Sequence, residues 1–173
     1  MKVAVIGLGL IGGSVALLLK QRGMASNVIG VDNNERHQQK AMELGLVHQV
    51  LPLHEAIAAS DFVVVAVPVD NAIQVLLPVL DLIDNQVIMD MGSTKTQIIE
   101  AVKDHPKRGR FVAAHPMWGT EFSGPEAATM YAFAGKAAII CNQHETDAES
   151  KDKCGLFSNL MLDVRLKEQS INS

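Results

Sequence analysis

Short apolar runs alternate along the chain with stretches of helical periodicity. Val3-Ala4-Val5-Ile6 is continuous and ends at a glycine, which suits a strand buried on both faces of a parallel sheet. The residues after it predict a helix over 10–21, a second strand over 28–31, and a second helix over 35–44 that Gly45 stops. A weak strand over 48–51 and a short helix over 53–59 follow. Residues 62–67, mostly β-branched and closed by Pro68, form the strongest strand signal in the chain. The pattern then predicts a helix over 71–82, a strand over 86–89, and a helix over 94–103 whose Thr94 and Gln97 are spaced as a capping box. A sixth strand over 111–114 delivers the chain to His115-Pro116. Beyond that point the pattern loosens. A short helix is expected around 126–131, a strand over 137–141, a helix over 147–160 and a last strand over 161–166. This alternation argues an α/β fold with a doubly wound, mostly parallel sheet and right-handed crossovers, in one domain over 1–173.

Within that frame, Gly7-Leu8-Gly9-Leu10-Ile11-Gly12 is a GxGxxG placed after a buried strand and at the start of a helix. Gly7 permits the tight turn, Gly9 lets backbone approach a pyrophosphate, and Gly12 lets the helix pack against the strand. Leu8, Leu10 and Ile11 supply the amides between them. Asp32 ends the second predicted strand, twenty residues after Gly12, where a carboxylate accepts hydrogen bonds from an adenosine ribose. It also reads as a helix N-cap. The whole unit predicts a Rossmann-type, dinucleotide-binding domain. A carboxylate at that place repels a 2'-phosphate, so NAD is favoured over NADP; Arg36, one helical turn further on, is the feature that opposes this preference.

Three further loops leave the carboxyl ends of strands, where ligands sit in open α/β sheets. Val67 and Pro68 open one that is expected to line the cofactor groove, although Pro68 also reads as a simple strand terminator. Met91-Gly92-Ser93-Thr94-Lys95 is the second; Ser93 or Thr94 reads as a helix N-cap, and the placement would also aim a hydroxyl and the Lys95 ammonium at a substrate near the nicotinamide. His115-Pro116-Met117-Trp118-Gly119-Thr120-Glu121-Phe122-Ser123-Gly124 is the third and most distinctive. Pro116 biases His115 to an extended conformation at the strand end. His37, His48, His54, His105 and His144 are read as solvated.

Composition narrows the partners. With 173 residues, 48% of them apolar, the chain can form a core without disulfides or metals, and no metal site is expected. Fifteen Lys+Arg against nineteen Asp+Glu give a net charge of -4, and the one dense basic cluster, Lys107-Arg108-Gly109-Arg110, is short, so nucleic acid is not expected as a partner. Cys141 and Cys154 form neither a disulfide framework nor a CxxC pair, which fits a reducing compartment. No apolar run approaches the ~20 residues of a membrane span. A cytoplasmic protein without a membrane partner is expected.

With GLGLIGGS, VDNN, VPVD, DMGSTK and HPMWGTEFSG in this order and spacing, the chain resembles the prephenate/arogenate dehydrogenase family, the oxidative step of tyrosine biosynthesis. The likeness covers 1–141 and leaves 142–173 as a final helix and strand. It implies an NAD-dependent oxidative decarboxylation of prephenate to 4-hydroxyphenylpyruvate, with His115 as the catalytic histidine and Ser93 and Thr120 in the same active site. Trp118 stands where an alanine is common in the family. Family members continue into an all-helical domain that dimerises and supplies a second histidine and an arginine for the substrate carboxylates; nothing after Cys141 resembles it, and Arg165 is the only late arginine. The resemblance therefore implies a homodimer for the full-length protein, and a chain that is one piece of it, binding NAD but turning prephenate over poorly. Two other readings stand beside this one: arogenate dehydrogenase, which differs at the side-chain amine, and a non-catalytic NAD-binding module.

Overall fold

A computed structural model describes all residues except 135, 137, 163–165 and 170–173. The elements run β1 (Lys2–Ile6), α1 (Leu10–Gln21), β2 (Asn27–Val31), α2 (Glu35–Glu43), β3 (Gln49–Val50), α3 (Leu53–Ala58), β4 (Phe62–Val65), α4 (Val69–Leu82), β5 (Val87–Asp90), α5 (Thr96–Val102), β6 (Phe111–Pro116), β7 (Ala138–Cys141), α6 (Ala148–Leu162) and β8 (Leu166–Gln169). The strands form one sheet in the order β3-β2-β1-β4-β5-β6-β7-β8. Every neighbouring pair is parallel except β6 and β7, which run antiparallel. The doubly wound, mostly parallel α/β sheet expected from the alternation is the fold observed.

The strands are apolar on both faces because helices cover both. Val3 and Val5 of β1 face a core completed by Val15, Ala16 and Leu19 of α1, Ala41 of α2 and Cys154 of α6. Ala4 and Ile6 face the opposite core, closed by Ile57 of α3, Leu76 and Leu80 of α4, and Ile98 of α5. Strand order reverses at β1, which lies between β2 and β4, so a crevice opens beyond its carboxyl end.

Several boundaries differ from the sequence reading, each for a local reason. The strong run at 62–67 leaves the ladder after Val65, with Pro68 in the N-cap position of α4, so that helix starts at Val69. The capping box at Thr94 does not form: α5 begins at Thr96 with Lys95 at its N-cap position and no side-chain cap. Lys95 turns inward to Asp90, and this sets where the helix can begin. A single 3-10 turn, Pro125–Ala127, stands where a helix around 126–131 was expected. Met161 and Leu162 belong to α6, so the last strand comes later than 161–166; Arg165 lies outside the described residues. No helix among the described residues is long and apolar enough to cross a membrane.

Candidate functional site

The three motif glycines are each demanded by a different neighbour. Gly7 has φ +90°, and a Cβ there would lie 2.6 Å from the Ala66 carbonyl oxygen. A Cβ on Gly12 would lie 1.8 Å from the Gly7 carbonyl oxygen, so α1 can cross the turn only without a side chain. At Gly9 nothing stands within 4 Å of the Cβ position: the backbone faces open space. Gly9 is also the N-cap position of α1, and no side chain caps that helix. Uncapped first-turn amides at the positive end of a helix dipole are suited to an anion.

Asp32 is fixed from two directions. The Leu8 amide donates to its Oδ2 at 2.7 Å and the Asn34 amide to its Oδ1 at 2.9 Å. The cap of α2 belongs to Asn34, whose Oδ1 accepts from the Arg36 amide at 3.0 Å and the His37 amide at 3.4 Å. Asp32 is thereby released from the capping role the sequence also allowed. Its carboxylate faces a cleft of about 960 Å³ whose walls include Gly7, Gly9, Leu10, Ile11, Val67 and Pro68. Leu8 and Gly12 lie beneath this wall, fully buried or nearly so, and act on the cleft through Asp32 and the Gly7 turn. Open backbone at Gly9, an uncapped helix start and an anchored carboxylate in the same cleft fit a dinucleotide: anionic in the middle, with a hydroxyl-bearing ribose at one end.

The sequence reading missed part of the cleft. Asn33, Asn34 and His37 line it near Asp32, and His37 Nδ1 lies 3.4 Å from Asp32 Oδ2. Phe122, Ser123 and Gly124 also line it; they belong to the loop that the sequence places at the ligand-binding ends of the strands, but none of them was expected to border the cofactor groove. His48 and His105 are not simply solvated either. The Val28 amide donates to His48 Nδ1 at 2.9 Å, and the His105 side chain, 13% exposed, sits between Asp81 and the Lys107 amide.

His115 occupies the penultimate position of β6, on the sheet edge that carries the glycine loop. Register places Asp90 opposite Ala113 and Ala113 opposite Cys141, so these residues and His115, two along from Ala113, share one face. On that face the Lys95 ammonium is hydrogen-bonded to Asp90, the pair being 6% and 2% exposed. Burial pulls the Lys95 ammonium below its ordinary pKa, and the Asp90 carboxylate opposes that pull. The ammonium expected to point at substrate is thus turned into the protein. Burial, then the positive charge of Lys95, holds the His115 imidazole below its usual pKa despite Asp90. His115 Nδ1 is buried and has no hydrogen-bond partner among the described residues.

Ser93 is exposed in the β5–α5 loop, and Thr120 is exposed with its Oγ1 accepting from the Phe122 amide at 3.2 Å. His115, Ser93 and Thr120 follow the carboxyl ends of neighbouring strands, but none of them is part of the cleft wall. Cys141 and Cys154 are buried and form no disulfide among the described residues. Among the described residues no group of three or more His, Cys, Asp or Glu is placed to hold a metal ion.

Comparison with known proteins agrees with this geometry. A family model described as prephenate dehydrogenase, nucleotide-binding domain, matches residues 15–158. The prephenate dehydrogenase of Lactococcus lactis subsp. cremoris is 30% identical over 148 residues, which are 83% of this chain and 42% of the relative. Among solved structures, the Aquifex aeolicus prephenate dehydrogenase in complex with hydroxyphenyl propionate and NAD+ superposes with a TM-score of 0.90 at 24% identity, covering 98% of this chain and 60% of that one. The Synechocystis arogenate dehydrogenase gives 0.84 at 27% identity, over 97% of this chain and 60% of that one. The chain spans 42% of the length of the curated prephenate dehydrogenases it matches. It belongs to the prephenate dehydrogenase family, within which it corresponds to the nucleotide-binding domain.

Proposed function

We propose that the cleft binds NAD and that the chain supplies the cofactor side of an enzyme oxidising prephenate, with loss of carbon dioxide, to 4-hydroxyphenylpyruvate. One observation carries this reading: the open Gly9 backbone, the uncapped start of α1 and the anchored Asp32 carboxylate converge on one cleft. The amides after Gly9 would hold the pyrophosphate, and Asp32 would accept from the ribose hydroxyls. The NAD+ in the complex of the Aquifex enzyme supports the choice of cofactor. Bound there, the oxidised nicotinamide supplies a hydride acceptor.

This chain's own residues then manage a proton. A neutral His115 accepts the proton of the substrate's C4 hydroxyl as the C4 hydride leaves, which requires the imidazole to be free at neutral pH. Its lowered pKa meets that requirement. Ser93 and Thr120, on the same edge, orient the hydroxyl. Departure of the ring carboxylate as carbon dioxide aromatises the ring. Because Lys95 is engaged by Asp90, the 91–95 loop offers no free ammonium to the substrate carboxylates, and the 173-residue chain alone binds NAD but turns prephenate over poorly.

Calorimetric titration of the chain with NAD and NADP tests the first part: saturable NAD binding, stronger than NADP, is expected, and absence of binding to either dinucleotide would refute it. Prephenate-dependent NADH formation by the whole protein, abolished in His115→Asn, tests the second. The likeness to the Synechocystis arogenate dehydrogenase carries an alternative substrate, and turnover of prephenate and arogenate side by side separates the two.

A further inference from the structure

The sequence carries opposed signals at the ribose end of the cleft: Asp32, whose charge repels a 2'-phosphate, and Arg36, a cation of the kind that accommodates one. A third charge from far along the chain decides between them. We propose that Glu126 is a cofactor-specificity residue, which engages Arg36 and stands as a second carboxylate at this rim, turning the site against 2'-phosphorylated dinucleotides. The proposal rests on the reading of the cleft as an NAD site.

Glu126 Oε1 lies 3.4 Å from Arg36 Nη2, across 90 residues of sequence. Its position is not accidental to a loose loop. It sits in the 3-10 turn Pro125–Ala127, and just beyond that turn the Thr129 amide donates at 3.0 Å to Ser14 Oγ of α1. Gly124, with φ +84°, is part of the cleft wall, and a Cβ there would lie 2.8 Å from Glu126 Oε2. The carboxylate therefore lies over backbone that borders the cofactor space. Its own backbone amide holds the Glu126 carboxyl below its ordinary pKa, helped by the charges of Arg36 and Lys40.

Arg36 has a fixed root and an exposed side chain. Its amide is bound in the Asn34 cap, whereas its side chain, apart from the contact with Glu126, is 83% exposed. Asn33 and Asn34, immediately before α2, line the cleft beside Asp32. Released from Glu126, the same guanidinium can reach that rim and pair bidentately with a phosphate. An exposed ion pair is weak, so Glu126 acts as a bias and not as a lock. The bias works twice, by occupying the cation and by adding negative charge over Gly124, which borders the cleft.

The test is dinucleotide binding to four proteins: the chain as it stands, Glu126→Gln, Glu126→Gln/Arg36→Gln, and Glu43→Gln. The last removes the same charge from a carboxylate that pairs with Lys40 instead. Glu126→Gln is expected to tighten NADP by about threefold or more at low salt while NAD changes by less than about twofold. The double variant should return the NADP-to-NAD ratio to the starting value, and Glu43→Gln should leave it there. An unchanged ratio in Glu126→Gln, or an equal gain in Glu43→Gln, overturns the role of Glu126 while leaving the NAD site intact. Failure of the unaltered chain to bind NAD overturns both readings.

Discussion

The Leu8 amide donates to Oδ2 of Asp32 at 2.7 Å, so the residue that presents a carboxylate to the cleft also ties down the glycine loop beside it. Leu8 is fully buried, so its amide has few other acceptors within reach.

Asp32 substitutions should therefore separate two effects. Asp32→Ala is expected to lose about 1–3 kcal/mol of stability, the cost of an orphaned buried amide, along with its preference for NAD. Asp32→Asn keeps an acceptor for one of the two amides and should melt closer to the parent while still losing discrimination against NADP. Thermal melting and paired NAD and NADP titrations measure this; an unchanged cofactor ratio in both variants would remove Asp32 from the ribose site.

The glycines make a graded series. Gly7→Ala meets both a positive φ and a carbonyl oxygen 2.6 Å away, and should cost about 2–5 kcal/mol. Gly12→Ala meets backbone at 1.8 Å and should be at least as damaging. Gly9→Ala meets nothing within 4 Å, so its melting temperature should fall little while nucleotide affinity drops about tenfold or more as the methyl fills the phosphate approach. Equal loss of stability at Gly7 and Gly9 would contradict the structure.

His115 should titrate below the usual ~6.5 of a free imidazole, because burial and Lys95 both disfavour its cation. The sign for stability follows. Above ~6.5 both folded and unfolded states hold a neutral imidazole; below it the unfolded state takes up the proton first, so this residue's contribution declines as pH falls from ~6.5 toward the folded pKa. An NMR titration of the imidazole shows it directly: a midpoint at or above ~6.5 would mean that the ring is not desolvated as described.

The Asp90–Lys95 pair offers a contrast of single and double variants. Lys95→Met strands a buried carboxylate and should cost about 3–5 kcal/mol, whereas Asp90→Asn/Lys95→Met should recover most of that. Chemical denaturation of the parent, Lys95→Met, Asp90→Asn and the double variant reads out the coupling. Additive losses would show that the two groups do not compensate one another.

The apolar runs and glycines of this chain were sufficient to read the element order, because buried parallel strands and the turn at Gly7 impose local requirements that only particular residues satisfy. The same holds for Asp32, whose place at the end of β2 follows from the length of one βαβ unit. Local signals failed where a residue's partner is distant. Thr94 and Gln97 carry the spacing of a cap, yet Lys95 is drawn to Asp90 and α5 starts later. His105, in the loop after α5, reads as solvated until Asp81 of α4 is brought beside it.

Charge at the cleft shows the division most clearly. The sequence by itself determined that a glycine turn, a helix start and an acid would meet at one cleft, since all three lie within one contiguous unit. It could not say whether Arg36 serves a phosphate or whether Lys95 serves a substrate, because each cation's role depends on which carboxylate the fold brings near it. Tertiary structure assigned Glu126 to the first and Asp90 to the second. The physical reason is that a charge acts over a few ångströms of space, and only folding turns 90 residues of chain into 3.4 Å.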